Sequence, residues 1–432
     1  MGSTGMGFES KRVAVVGGGL GGMAFMNAAL FAGLKNVQCY EQAHQFGEVG
    51  AGVDISANAN RILDTFGLQE SLLRCSSPQL PYYMQYHSYQ TGEYLAHIEE
   101  FSKPHARLIH RAHLLDSLKK PVPGDHLHLQ KRLAVIDRNT SPDAAPYTLH
   151  FEDGTTVDAD IVIGCDGIKS RVRRELGFGD SPKYSGQVVY RGFVEYEDLP
   201  EETSKLLRNV VNFRGPKRHI LCLPIGNPFT QTDRIGVIGF MSEPLDSWDS
   251  ENWMARADIE TLHEHVKDWC PQVQDVIEGL HKGSSDGRMM KQALYVRDPI
   301  AKWFEIKESQ NNAGILLLGD AVHSTLPHQG QGVCMAIESG IALATILTHW
   351  KNDDLHAAFQ FYQDLRKPRT DRVTKTSFEA GKLASSDDPD HFSENFNPDA
   401  LMERMKWIME YNVLDDLKVK GAEYMDFHDS RV

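Results

Sequence analysis

Apolar and polar positions follow two rhythms along this chain, and the switches between them mark out its elements. Residues 11–45 read as strand, glycine turn, helix, strand: the run Val13-Ala14-Val15-Val16, a helical period over residues 23–34, then Val37-Gln38-Cys39-Tyr40. Residues 55–75 place Ile62, Leu63, Phe66, Leu72 and Leu73 on one helical stripe. Residues 80–100 and 185–245 alternate apolar and aromatic residues with polar ones, which predicts strands of a mostly antiparallel sheet. Helical periodicity returns over residues 251–282, and again over 333–350 after a loop rich in Pro and Gly.

The early and late segments thus bracket a central block of different character. This predicts a discontinuous Rossmann-like domain over residues 11–79, 104–182 and 290–370. A mostly antiparallel sheet domain, residues 80–103 and 183–289, is inserted between its pieces. Residues 371–432 read as a helical C-terminal segment of unassigned role, and the Gly- and Ser-rich residues 1–10 as a disordered tail.

A length of 432 residues accommodates two or more domains, and 41% hydrophobic with 24% charged residues is ordinary for a globular chain. A net charge of −14 without a basic stripe argues against nucleic acid as a partner and against a polybasic membrane anchor. The apolar run over residues 28–34 is too short to span a bilayer, and no charged segment precedes it as in a secretory signal. Met6 breaks the myristoylation pattern that Met1-Gly2 begins. Cys39, Cys75, Cys165, Cys222, Cys270 and Cys334 are scattered without metal-ligand spacing, as expected of reduced thiols in a cytoplasmic protein.

Chemistry enters with three short stretches. Gly17, Gly19 and Gly22 follow the first strand and open a helix. In that G-x-G-x-x-G pattern the first glycine makes a tight turn, the second admits a pyrophosphate and the third allows close helix packing. Glu41 closes the next strand, where a carboxylate binds ribose hydroxyls, with Gln42 beside it. Asp166-Gly167 ends a second apolar strand and is followed by the basic residues Lys169, Arg171 and Arg173. Gly319-Asp320 ends a third, Ile315 to Leu318, at the carboxyl edge where such sheets bind ligands. The ribitol of FAD offers hydroxyls to a carboxylate there and NAD offers none, so the dinucleotide is read as FAD. The loop Pro327-His328-Gln329-Gly330-Gln331-Gly332 then opens a helix whose positive end would face the flavin. No second glycine motif follows a strand, so NADH or NADPH has no dinucleotide fold of its own.

Together these motifs resemble the class A, single-component FAD-dependent aromatic hydroxylases typified by 4-hydroxybenzoate hydroxylase, and within them the salicylate hydroxylases. Residues 46–53, the triplet Tyr190-Arg191-Gly192, residues 110–114, residues 326–330 and the stretch 365–373 carry the likeness, which covers about residues 11–380. Gln331, Glu338-Ser339 and His44 depart from the family's usual pattern. The resemblance implies a GR2-type FAD-binding domain, one FAD, NADH or NADPH consumed at the same flavin, and a flavin hydroperoxide as oxidant. It further implies that Arg111 contacts FAD and that Gly52, Val53, Gly330, Gly332 and Val333 line its site.

An electrophilic oxidant needs an electron-rich ring, and a phenol with a pKa near 10 becomes one on losing its proton. His328, with an unperturbed pKa near 6.5, is the expected base; capping the next helix is its bland alternative. Arg191 is the expected holder of a phenolate or carboxylate, with an interdomain salt bridge as its alternative. The expected activity is O2- and NAD(P)H-dependent hydroxylation of a phenolic acid, salicylate-like, with loss of CO2 to give a catechol. Hydroxylation or epoxidation of a larger phenolic or polyketide metabolite without decarboxylation stays open. So do a flavin-free dehydrogenase, a non-catalytic relative, the choice of coenzyme and a homodimer.

Overall fold

The computed structural model describes residues 8–46, 52–100, 103–141, 143–179, 181–227, 233–248, 254–307, 313–392 and 396–427. The tail expected over residues 1–10 and the stretch 47–51 of the resemblance lie wholly or largely outside them. Strand Val13–Val16 is buried at every position, in a core that helix Leu20–Phe31 shares with Tyr147, Leu149 and Phe151 of a smaller sheet. It pairs in parallel with Val37–Tyr40 on one side and Ile161–Gly164 on the other. Gly314–Leu317 extends the sheet beyond Ile161–Gly164, so the three motif strands lie side by side with their carboxyl ends together. Leu127–His128 and the antiparallel Phe304–Ile306 complete six strands.

The second large sheet has eight strands, antiparallel except where Val211–Gly215 runs parallel to Tyr82–Ser88. Helices Ile259–Val266 and Pro271–Gly283 pack on its far face, around Val276, Ile277 and Leu280. The near face turns toward the first sheet and carries Leu223, Ile238, Phe240 and Leu294. A three-stranded sheet, residues 133–159, and the pair Gly52–Ile55 with Arg107–His110 fill the remainder.

Five expectations need correcting. Arg288–Val296 pairs with Lys183–Val194, so the inserted sheet runs past residue 289 into the segment assigned to the cofactor half. Its burial does not alternate, Ala293, Leu294 and Tyr295 being buried in succession, so no period-two signal marks it as part of the inserted sheet. Residues 254–258 form an edge strand, not the start of a helix, because five residues are too few for helical and strand periods to be told apart. The boundary at residue 370 falls inside one continuous helix, Leu355–Ala384. The helical stripe of residues 55–75 is divided at Gly67 (φ +73°), and the first helix starts at Leu20 rather than 23.

Helix Gln331–His349 is apolar and long enough to cross a membrane, but 83% of its apolar window is buried inside the protein. It packs against helix Leu20–Phe31 and forms the spine of the first core. There Gly340 meets the backbone of Gly21 and Phe25 so closely that an added Cβ would lie 2.7 Å from Gly21 O.

Candidate active site

One cavity of about 810 Å³ runs from the glycine turn to the near face of the eight-stranded sheet. Its first end is built from backbone. Gly17 has φ +106°, and a Cβ there would lie 2.5 Å from Cys165 O. A Cβ on Gly22 would lie 2.2 Å from Gly17 O, whereas one on Gly19 would meet nothing within 4 Å. The three glycines therefore divide their work as the motif requires: turn, open approach for a ligand, close packing. Glu41 stands beside this loop, accepting from Gly18 N at 2.7 Å and Ala43 N at 2.8 Å, and Gln42 lines the cavity.

Asp320 projects into the cavity from the end of the third motif strand. Its side chain is open to that space yet ringed by protein, so burial pushes its carboxyl up and Arg111 partly offsets the rise. Arg111 begins helix Arg111–Lys119 on the cavity wall, and burial lowers its pKa in turn. Asp166 combines two parts. It lines the cavity, but its carboxylate accepts from Ser170 Oγ (2.6 Å), Arg171 N (2.6 Å) and Val172 N (3.1 Å), tying down the start of a short helix. Arg171 pairs with Glu175 and Arg173 turns inward to Ala321 O, so of the expected basic cluster only Lys169 lines the cavity.

Gly52 and Val53 meet His110 and Ile109 across a strand pair, which joins two stretches of the resemblance in one wall. Opposite them, Gly330 (φ +64°), Gly332 and Val333 form the uncapped start of helix Gln331–His349. Free N–H groups and positive dipole at such a terminus suit an electron-rich ligand edge. The glycine turn, the open space at Gly19, the Asp320 carboxylate and this helix end all fit FAD.

The second end of the cavity is built from side chains. His328 Nε2 lies 2.8 Å from Gln187 Oε1. The Gln187 amide nitrogen faces the Gly381 carbonyl at 3.1 Å, and a carbonyl can only accept, so Gln187 Oε1 must be the acceptor toward His328. His328 is therefore held as the Nε2–H tautomer, with Nδ1 as its acceptor. Burial, followed by the nearby positive charge of Arg214, brings its pKa down to about 4. It is thus not the near-neutral base that the sequence suggested. Its ring packs near Phe240, at 5.2 Å between centroids, and against Gly381, where a Cβ would lie 2.6 Å from His328 Cδ2.

Arg191 lines the same cavity. It shares one face of its strand with Gln187 four residues away, a separation of ~13 Å along the strand. Burial and the neighbouring Arg111 bring it down to about 10, and no ion pair or hydrogen bond holds it among the described residues. It stands near Arg111 on the cavity wall. The cation beside His328 is Arg214, which is 7% exposed, has no carboxylate partner among the described residues, and faces the rings of Phe396 and Tyr86.

Asp54 and Tyr83 also line the cavity and were missed from sequence. Tyr83 Oη donates to Asp54 Oδ2 at 3.1 Å and Ser56 Oγ does so at 2.9 Å, while burial pushes the Asp54 carboxyl up to about 6. An acid in the apolar strand next to residues 46–53 was the available signal. Of the residues that depart from the family pattern, His44 is exposed, while Gln331, Glu338 and Ser339 belong to one buried network. Gln331 donates to Ser56 Oγ and accepts from Asn58, which also donates to Glu338. Glu338 takes Arg366 and Arg369 at 2.6–2.8 Å. Burial would raise its carboxyl, but the two guanidinium groups outweigh burial and hold it at about 2. Ser339 accepts from Arg366 at 3.2 Å and bonds His323 Nε2 at 3.0 Å.

Fold and site together define an FAD-dependent aromatic monooxygenase. The family model described as "FAD binding domain" matches residues 10–377, and the chain belongs to that family as one of its class A aromatic hydroxylases. The chain is 30% identical over 391 residues to 6-hydroxynicotinate 3-monooxygenase of Pseudomonas fluorescens, covering 88% of this chain and 94% of the relative. It is 30% identical to 6-methylsalicylate 1-monooxygenase of Aspergillus terreus, covering 86% and 82%. A solved salicylate hydroxylase substrate complex superposes with a TM-score of 0.77 at 25% identity, over 94% of this chain and 97% of that one.

Proposed function

We propose that the protein hydroxylates a small phenolic or hydroxypyridine acid, salicylate-like, releasing CO2 when the attacked carbon bears the carboxylate. The observation that carries this reading is the locked tautomer of His328, on a ring that lines the cavity next to the Arg214 charge. FAD, when bound, supplies reducing equivalents from NADH or NADPH and activates O2. Gly17, Gly19, Gly22, Glu41, Asp320, Arg111, Val53 and the 330–333 helix start would hold it.

His328 does the rest through Nδ1. A base with pKa about 4 is unprotonated at neutral pH, yet too weak alone to take a proton from an ordinary phenol. A substrate carboxylate beside it would offset the Arg214 charge and raise His328 toward its ordinary value. This favours an aromatic acid over a neutral phenol of the same size. Leu223, Ile238, Phe240 and Leu294 would exclude water from the ring.

Three compounds test the reading: salicylate, 6-hydroxynicotinate and 3-hydroxybenzoate, each with the FAD-loaded protein, air and NADH or NADPH, followed by chromatography. A decarboxylated diol supports the reading in full. A hydroxylated product that keeps its carboxyl favours the non-decarboxylating alternative. Coenzyme oxidation giving only hydrogen peroxide with every acid sinks the proposed substrate class.

A further inference from the structure

A second cavity, of about 640 Å³, adjoins the first behind Arg191. It lies between the end of helix Pro271–Gly283 and the edge strand Met254–Asp258. Arg191, Met254 and Met290 line both cavities, so the two spaces meet at that point. Four arginines, Arg191, Arg234, Arg256 and Arg288, line the second cavity against two acids, Glu195 and Asp286. In a chain with a net charge of −14 this is a local reversal of sign.

The arginines are not used up by their neighbours. Arg256 pairs with Asp286 at 2.8 Å and Arg288 with Asp258 at 3.2 Å, but all four of those side chains are 46–69% exposed. Such solvated pairs contribute little and exchange readily for a bound anion. Arg234 reaches Glu195 only at 3.6 Å, and its guanidinium stands 5.4 Å from the Phe193 ring. Phe193 also stacks on His110, the residue before Arg111, which places this rim against the cofactor half. Arg191, at the inner end, has no ion pair or hydrogen bond among the described residues.

We propose that this groove binds the reduced nicotinamide dinucleotide, a ligand for which the chain has no second dinucleotide fold. Arg256 and Arg288 at the open rim take the pyrophosphate, because guanidinium forks match phosphate oxygens. The nicotinamide end lies inward toward Arg191, Met254 and Met290, where the groove opens into the flavin cavity. The proposal rests on NAD(P)H being the electron donor, and not on which aromatic acid is oxidised.

The test is anaerobic reduction of the bound flavin, followed by its absorbance in a stopped-flow instrument at rising NADH or NADPH. The holoenzymes compared are wild type, Arg256→Ala/Arg288→Ala and Arg256→Glu. The expected result is an apparent coenzyme Kd raised by about ten-fold or more in the variants, with a steeper loss on charge reversal. FAD content, reduction by dithionite and the Kd for an aromatic ligand stay as in wild type. An unchanged coenzyme Kd, or a rise matched by weaker aromatic binding, overturns the groove. Wild-type flavin that neither coenzyme reduces, with or without an aromatic acid, overturns NAD(P)H as donor and the groove with it.

Discussion

The two ends of the main cavity are made in different ways. At the cofactor end the shape comes from backbone: a positive φ at Gly17, an empty approach at Gly19, and helix N-termini. At the substrate end it comes from side chains from distant parts of the chain, His328 on Gln187 and Tyr83 on Asp54. Backbone geometry tolerates almost no substitution, whereas a wall of side chains can be refitted to a new ring without disturbing the fold. This matches relatives whose names include both salicylate-type and nicotinate-type hydroxylases over a shared architecture.

The sharpest way to break the contrast is Gly22→Ala. The added methyl would lie 2.2 Å from a backbone oxygen, so strand and helix must separate. FAD affinity should fall by about three orders of magnitude, roughly 4 kcal/mol, as measured by flavin retained on gel filtration. Near-normal FAD content would mean that the turn is far more compliant than its contacts imply.

Glu338→Gln comes next, since the network it centres reaches Asp54 of the cavity wall through Gln331 and Ser56. Neutralising Glu338 leaves Arg366 and Arg369 buried without a counter-charge, and the denaturation free energy should fall by about 3 kcal/mol. Arg369 also donates to Ile408 O, so the loss should loosen the C-terminal helix Asp399–Met409 first, visible as faster amide exchange there.

These two residues illustrate what the sequence could disclose. Gly22 declares itself because three glycines at fixed offsets after a strand have one geometric meaning. Asp320 and the 331–349 helix were legible for the same reason: a strand end and a helix start are local events. Glu338 was visible only as a departure from a family pattern, because its partners lie 28 and 31 residues away on another helix. The Gln187 lock on His328 spans 141 residues and depends on sheet register, which no local pattern encodes. Arg191 falls in the block whose alternation predicts strands, but its distance from Gln187 is set by the folded sheet. Residues 371–432 had no legible role. Their first turns hold the His328 loop, through Ser377 Oγ to Leu326 O and Thr376 Oγ1 to Gln329 Oε1.

At the substrate end, His328→Ala should lower the hydroxylation rate by about 100-fold, near 3 kcal/mol, while FAD binding is kept. Gln187→Leu offers the finer cut. It removes the acceptor that fixes the tautomer, so coenzyme oxidation should continue with a larger share ending as hydrogen peroxide. An unchanged product yield in Gln187→Leu would show that the tautomer lock is dispensable.

The smallest expected effect probes Asp54, and its sign is specific. Burial raises the folded-state pKa to about 6, with Ser56 and Tyr83 opposing the rise and Glu100 adding to it. An unfolded aspartate titrates near 3.9. Between about pH 4 and pH 6 the folded protein therefore holds a proton that the unfolded chain has released, and stability contributed by that proton is lost as pH rises. Asp54→Asn has no charge to bury and escapes the loss. Wild type should fall behind the variant by about 1–2 kcal/mol between pH 4 and pH 7, a size reduced by the cavity's access to water. Denaturant midpoints of the two proteins across that range check it, the difference cancelling every other titrating group. Parallel profiles would mean that Asp54 is solvated like a surface acid. In that case the substrate end is wetter than its side chains suggest, and the contrast with the backbone-built end narrows.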